Sequence, residues 1–381
     1  MNEWIAFTLG ALALWTPSSP GHGDLGTTED AVPAPITARQ SLEDTSEPVL
    51  PLATDGSGEV LRELGRQDAA RAGSTKLRPG ALGVLDPATG KVQQVRNADQ
   101  SKPGTQTVFG ALNSDHAVWT EQTSTKISES DWTIRAFDRA TGDTTTVAKA
   151  TPIDEAGTMP TVPGFTVPTL DRDTVYWSQA DPSPHDPTNP PVNVYAGDAD
   201  GSGEPELVAR DAIMPRATDG WLYYVGFDGS SPKADGYTVH RQSLETGERE
   251  IVTERPTGSV TELVADGDTV ALGTGGDTIE VFTDGEHVTS VEGKDEALGR
   301  MSLTDGILGF SDNSKQTGQN YVLDIHAERL FRLDAAPGLA HVLVTGSEGD
   351  SPGVAWALGS EAQDWQYGRL DIDADTDSAA E

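Results

Sequence analysis

A hairpin tip written in Asp, Thr and Gly recurs along this chain and limits its fold more than any other feature. The tips are Asp86-Pro-Ala-Thr-Gly90, Asp138-Arg-Ala-Thr-Gly142, Asp198-Ala-Asp-Gly201, Leu244-Glu-Thr-Gly247 and Thr283-Asp-Gly285. A tight turn needs positive φ, which Gly adopts without steric cost, and Asp can bond the turn's own backbone. Strand cores stand in step with the tips: Ala117-Val-Trp119, Val175-Tyr-Trp177, Trp221-Leu-Tyr-Tyr224, Val270-Ala-Leu272, Ile307-Leu308 and Val354-Ala-Trp356. Asp115, Asp173, Asp219, Asp268 and Asp305 sit just ahead of five of them. Tandem β units at about 40–60 residues approximate the period of a four-stranded blade and predict a β-propeller.

The expected fold is therefore all-β: a propeller of four-stranded antiparallel blades over residues 81–373. Six cores imply six blades. The last blade would then draw on Leu339–Ala357 and Trp365–Ile372, with its final strand supplied by Lys91–Val95. That leaves Leu82–Asp86 without a place. A seventh blade built partly from residues 48–64 absorbs it and stands as the alternative. The Pro-rich stretch Asp181–Pro191 reads as a surface loop inserted between strands.

The 41 Gly and 24 Pro suit many short strands joined by turns. Residues 17–80 are rich in Pro, Gly, Ser, Thr and acid, and read as a disordered linker. Within it, residues 59–72 read as a short helix, because Val60, Leu61 and Leu64 fall on one side. The apolar run Trp4–Trp15 is short for a membrane span and fits the core of a secretory signal over residues 1–16. Glu3 stands where a signal carries positive charge. The run is thus either a signal whose start lies upstream or a short apolar tail. Export is the expectation carried forward. Residues 374–381 form an acidic tail.

Lys and Arg number 26 against 61 Asp and Glu, a net charge of −35. Such a balance repels phosphate backbones and anionic lipid, so nucleic acid and membrane surfaces are disfavoured partners. There is no cysteine, which removes disulfides, thiolate metal sites and a thiol nucleophile. No integral membrane domain is read from the sequence, and a monomer is expected.

The segment from Val194 through Tyr195, Gly197, Asp198, Asp200-Gly-Ser-Gly203 to Leu207-Val208 resembles the repeat of TolB-type propellers, within the wider WD40-like group. Its order is an aromatic strand, an Asp-Gly-Ser-Gly turn, then a short strand. In the other repeats Thr-Gly replaces Asp-Gly-Ser. The resemblance implies six blades of four strands over roughly residues 82–373. It carries over no partner-binding segment.

Linear motifs of chemistry are weak. Gly349-Asp-Ser351-Pro-Gly353 matches G-x-S-x-G, but a nucleophile elbow needs a helix after it, and Val354–Leu358 reads as strand. Asp198-Ala-Asp200-Gly-Ser202 begins like a calcium loop, yet the twelfth position, where a bidentate Glu belongs, is Ala209. The seven His residues form no metal pair. No catalytic residue, metal or cofactor is assigned.

Propellers bind ligands at the axial mouth, where inner strands converge. The inner strands are expected at Thr107–Leu112, Phe165–Leu170, Ala212–Ala217, Ser259–Val264, Leu298–Leu303 and Leu339–Val344. Their charged or titratable members are Arg216, Glu262, Arg300 and His341, the candidate ligand-binding residues, although they share no common register. The expected function is an exported binding module for a protein or cell-envelope ligand. The alternative is a hydrolase or lyase acting at the axial mouth.

Overall fold

The computed structural model describes residues 24–41, 51–64, 81–96, 106–122, 131–152, 166–180, 191–227, 236–293, 298–312, 317–333, 336–337, 341–348, 351–357 and 365–372. Seven antiparallel sheets of four consecutive positions each define the molecule, so the propeller has seven blades rather than six. Blade 1 holds Pro51–Thr54, Val60–Glu63, Leu82–Asp86 and Lys91–Arg96. Blades 2, 3 and 4 follow with inner strands Gln106–Leu112, Thr169–Asp171 and Ala212–Thr218. Blades 5, 6 and 7 begin at Val260–Asp266, Leu298–Thr304 and Val342–Glu348.

The extra blade comes from the segment read as linker. Val60–Glu63 is a strand paired with both Pro51–Thr54 and Leu82–Asp86, not the start of a helix. Val60, Leu61 and Arg62 are all buried, since a second strand packs on both faces. Such a run loses the period-two alternation that marks a strand and can imitate a helical stripe. Leu82–Asp86 thereby finds its partner, and Lys91–Arg96 becomes the outer strand of blade 1.

Ring closure is also reassigned. Ile36–Ser41, not Lys91–Val95, pairs antiparallel with Trp365–Leu370 and completes blade 7. Upstream of it, Val32–Pro33 lies parallel to the outer strand of blade 6, and Asp24–Thr27 lies parallel to that of blade 5. The arm therefore strings along three blade edges and covers their unpaired backbone groups. Residues 24–41 are thus ordered strands rather than linker. The apolar run before residue 24, the helix beyond residue 64, the 181–190 insert and the acidic tail lie outside the described residues.

The core is a set of layers between blades rather than one central mass. Val118 and Ile134 of blade 2 pack on Val175 and Trp177 of blade 3. Val322 and Phe331 of blade 6 pack on Val342 and Val354 of blade 7. The ring shuts where Leu85 and Val92 of blade 1 meet Leu343, Trp365 and Tyr367 of blade 7. At that junction Gly346 approaches Gly56 so closely that a Cβ on it would lie 1.7 Å from the Gly56 carbonyl oxygen.

The hairpin tips behave as their residues require. Asp86 Oδ1 accepts from the amides of Ala88 and Thr89 at 2.9 and 3.2 Å, and Asp138 Oδ1 accepts from Ala140 and Thr141 at 2.8 Å each. Gly90, Gly142 and Gly247 take φ of 69°, 80° and 73°.

Candidate functional site

In a four-stranded antiparallel blade the first and third connections lie at one end. The Asp residues of these turns therefore collect on one face of the ring, with Asp55, Asp115, Asp219 and Asp305 near the axis and Asp138 and Asp284 further out. Turn chemistry makes this face acidic. Asp266, at the end of the blade 5 inner strand, receives the Asp305 amide on Oδ2 at 2.7 Å and faces Thr218. Burial holds its carboxyl above the usual range; the Asp305 amide pulls the other way, and the charges of Asp219 and Asp305 add to the rise.

The opposite half of the inner strands differs. Five of the seven inner strands carry a register shift there against their neighbour: between Pro51 and Ala53, Thr107 and Phe109, Ile213 and Arg216, Val260 and Glu262, and Gly299 and Ser302; in blade 7 the shift, between Thr345 and Ser347, lies at the turn end instead. A bulge re-aims side chains that regular alternation would point into the blades. In blades 4 and 6 it places non-glycine residues in the left-handed region, Met214 at φ 56° and Arg300 at φ 53°.

Three of the sequence-derived candidates stand at such bulges on consecutive blades, and the fourth lies beside the inner strand of the next. Arg216 is on blade 4, Glu262 on blade 5, Arg300 on blade 6, and His341 immediately precedes the blade 7 inner strand. Each is partly exposed. Glu262 Oε1 accepts the Met301 amide of the next blade at 2.9 Å. Gly299 lies beside it, where a Cβ would sit 3.4 Å from Oε2, an ordinary contact. Successive amides on a left-handed bulge form a concave anion cradle, and the Glu262 carboxylate fills it.

Their electrostatics are linked in sequence. Burial raises the Glu262 carboxyl above its ordinary value, opposed by Arg216, by the Met301 and Arg300 amides and by the Arg300 charge. Burial pulls Arg216 and Arg300 down, and Glu262 partly restores both. His341 is pushed down to about 3 by burial, reinforced by the Arg300 charge. Its Nδ1 is sealed without a hydrogen-bond partner, and its ring meets Trp365 edge-on at 5.4 Å.

Among the described residues, the Arg300 guanidinium makes no hydrogen bond, and that of Arg216 makes one, to the Pro215 carbonyl at 2.8 Å. No other donor of either group is sealed from water. Neither arginine closes to ion-pair distance on Glu262. The sequence put these residues on or beside inner strands; it did not reveal the bulges or the Met301 amide, which leave no pattern in residue type.

Other candidates resolve into structure. Ser351 opens a strand and Gly353 pairs with both Thr345 and Arg369, so no helix follows the G-x-S-x-G segment. Asp198 and Asp200 accept from Ser202 within their own turn. Among the described residues, no group of three or more His, Asp or Glu is placed to hold a metal. A shallow cleft of ≈ 350 Å³ between blades 1 and 2 contains Asp55, Glu59 and Arg139, but Arg139 spends itself on Glu59 at 2.6 Å and the Asn113 carbonyl at 2.9 Å.

The architecture defines a seven-bladed β-propeller. No protein-family model matches the chain, and no curated protein matches it. Solved structures share the fold. An oligogalacturonate lyase from Vibrio parahaemolyticus aligns at TM-score 0.55 and 14% identity, over 90% of this chain and 99% of that one. A prolyl endopeptidase aligns at TM-score 0.53 and 10% identity, over 86% of this chain and 50% of that one, so this chain spans half its length. TolB from Acinetobacter baumannii aligns at TM-score 0.38 and 12% identity, too weakly to extend the TolB resemblance beyond a shared propeller fold. Among the described residues no helix is long and apolar enough to cross a membrane.

Proposed function

We propose that this chain is an exported, non-enzymatic propeller that binds a ligand or protein of the cell envelope at its axial mouth through Arg216, Glu262, Arg300 and His341. One observation carries the reading. Arg216, Glu262 and Arg300 stand at bulges on successive inner strands, and both guanidinium groups keep spare hydrogen-bond donors. The Glu262 carboxylate is tied to the Met301 amide. His341, pushed down to about 3, is neutral and a weak base. General acid–base catalysis works best with a group poised near the operating pH. What is left available is a pair of hydrogen-bond donors. Export rests on the apolar run Trp4–Trp15 alone.

The catalytic reading has two points in its favour. Burial holds the Glu262 carboxyl above its ordinary value, the direction an acid–base group working at neutral pH requires. Burial also moves both guanidinium groups downward, the direction a base requires. Arginine starts so high that it stays protonated at neutral pH. The fold itself is shared by enzymes, as the lyase and endopeptidase alignments illustrate, and so does not choose.

A thermal-shift screen of a metabolite collection against the native protein and an Arg216→Gln/Arg300→Gln variant separates the two. The binding reading expects ligands whose stabilisation vanishes in the variant and which are recovered chemically unchanged by mass spectrometry. Conversion of such a ligand by the native protein would replace it with the catalytic reading.

A further inference from the structure

The donors and acceptors at this site are unequally committed, and that imbalance identifies the ligand's chemistry. Among the described inner-strand candidates Glu262 is the one carboxylate, and its Oε1 accepts the backbone amide of Met301. His341 has its Nδ1 sealed without a partner and its ring against Trp365, so at most Nε2 remains for a ligand. The Arg300 guanidinium carries five N–H donors, none of them used among the described residues, and Arg216 has used one. Two cations thus flank a single immobilised anion, with spare donors on both.

A guanidinium held by its backbone presents a flat fork of parallel donors that matches the two oxygens of a carboxylate or the edge of a phosphate or sulfate. The Arg300 backbone is fixed at the base of such a fork. Its own residue forms the bulge at φ 53°, and the Glu262 carboxylate clamps the adjoining amide. A left-handed conformation at a non-glycine residue is uncommon and persists where surrounding structure enforces it. Arg216 follows directly on the blade 4 bulge, whose Met214 amide is fixed by Ser178 Oγ of blade 3 at 3.1 Å. Neighbouring blades therefore fix the backbone from which both cations project.

Placement along the axis agrees. The acidic turns lie at the far end of these same strands, at Asp219, Asp266 and Asp305. In a chain of net charge −35, two arginines with spare donors in a low-dielectric channel form a local inversion of sign. An anionic group is attracted to this half of the channel and repelled by the turn face, so it enters from the side of the second and fourth connections of the blades.

We infer that the axial channel of blades 4 to 7 is an oxyanion site, at which the ligand presents a carboxylate, sulfate or phosphate group to Arg216 and Arg300. The inference rests on the axial-binding reading above and narrows it to one chemistry.

Isothermal titration of the full chain with glucuronate, glucose, inorganic sulfate and inorganic phosphate tests it. Glucuronate and glucose differ only by the carboxylate, and the inorganic ions separate an organic acid from a free oxyanion. Binding of glucuronate or of either ion, without binding of glucose, supports the inference. Arg300→Gln and Arg216→Gln should each weaken it by about 10- to 100-fold, the loss of a charge-assisted hydrogen bond. Arg300→Lys should fall between, because it keeps charge but loses the fork. Arg249→Gln, on the outer rim of blade 4, removes the same charge and should change nothing. Urea midpoints of all variants separate loss of the site from loss of the fold. Glucose binding that depends on Arg300 overturns the oxyanion assignment and leaves the axial reading intact. Failure of all four probes, or binding indifferent to both axial arginines, overturns the oxyanion assignment; a metabolite whose stabilisation is lost in the Arg216→Gln/Arg300→Gln variant would still uphold the axial reading.

Discussion

Arg300 combines a strained backbone with unspent donors, and the two properties can be separated by substitution. Glycine adopts φ near 53° freely, whereas alanine bears the same Cβ clash as arginine, worth roughly 1–2 kcal/mol. Arg300→Gly should therefore be more stable than Arg300→Ala by about 1 kcal/mol in urea titrations, while both abolish oxyanion binding. Equal stability of the two variants would mean that the bulge is not held as described. His341 gives a second test, through pH. Its folded value is depressed to about 3 from 6.5, so its contribution is present in full above 6.5 and is lost as pH falls through that window. The unfolded chain takes up a proton that the folded chain refuses, a slope of up to about 1.4 kcal/mol per pH unit. The stability difference between about pH 7 and about pH 5 should shrink in His341→Gln relative to the native protein. An unchanged difference would show that the imidazole is not sealed.

At the scale of elements, the closing strand and the blade junctions carry the ring. Gly368 lies opposite the closing strand, and a Cβ there would come within 2.4 Å of Ile36 Cγ2. Gly368→Val should detach Ile36–Ser41, lower the melting temperature and make Arg39 newly accessible to trypsin. Survival of protection at Arg39 would place closure elsewhere. The second strands were legible because Trp119, Trp177 and Trp356 announce them, each buried completely or nearly so between blades. Val60–Leu61 occupies the same place without an aromatic, and with Leu64 it forms a one-sided apolar stripe that reads as helix inside a stretch whose Pro, Gly and acid content suggests linker. Ile36–Ser41 was illegible for a different reason. It pairs with a strand more than three hundred residues away, at Trp365–Leu370, and no local pattern encodes such a partner. The sequence put Arg216, Glu262, Arg300 and His341 on or beside inner strands, but the local backbone around them was not foreseen. It depends on single-residue bulges that shift each register, and residue type does not mark them.

At the scale of the whole molecule, the hairpin turns and the axial site have opposite charge. The turns need Asp for their geometry, and that requirement places negative charge on one face of a chain already at −35. An anionic ligand is therefore repelled at long range and attracted only close to Arg216 and Arg300. Salt screens the distant charges more than those inside the channel. Between about 10 mM and about 150 mM salt, glucuronate association should hold constant or accelerate, the reverse of binding to an exposed basic patch. A steep loss of association rate over that range would locate the anion on the outer surface. The most direct measurement is the anomalous difference density of crystals soaked in selenate, an oxyanion whose heavy atom reports its own position. The account expects a peak on the propeller axis, within hydrogen-bonding reach of both Arg216 and Arg300. Selenate bound only at other arginines, with nothing between these two, would contradict it.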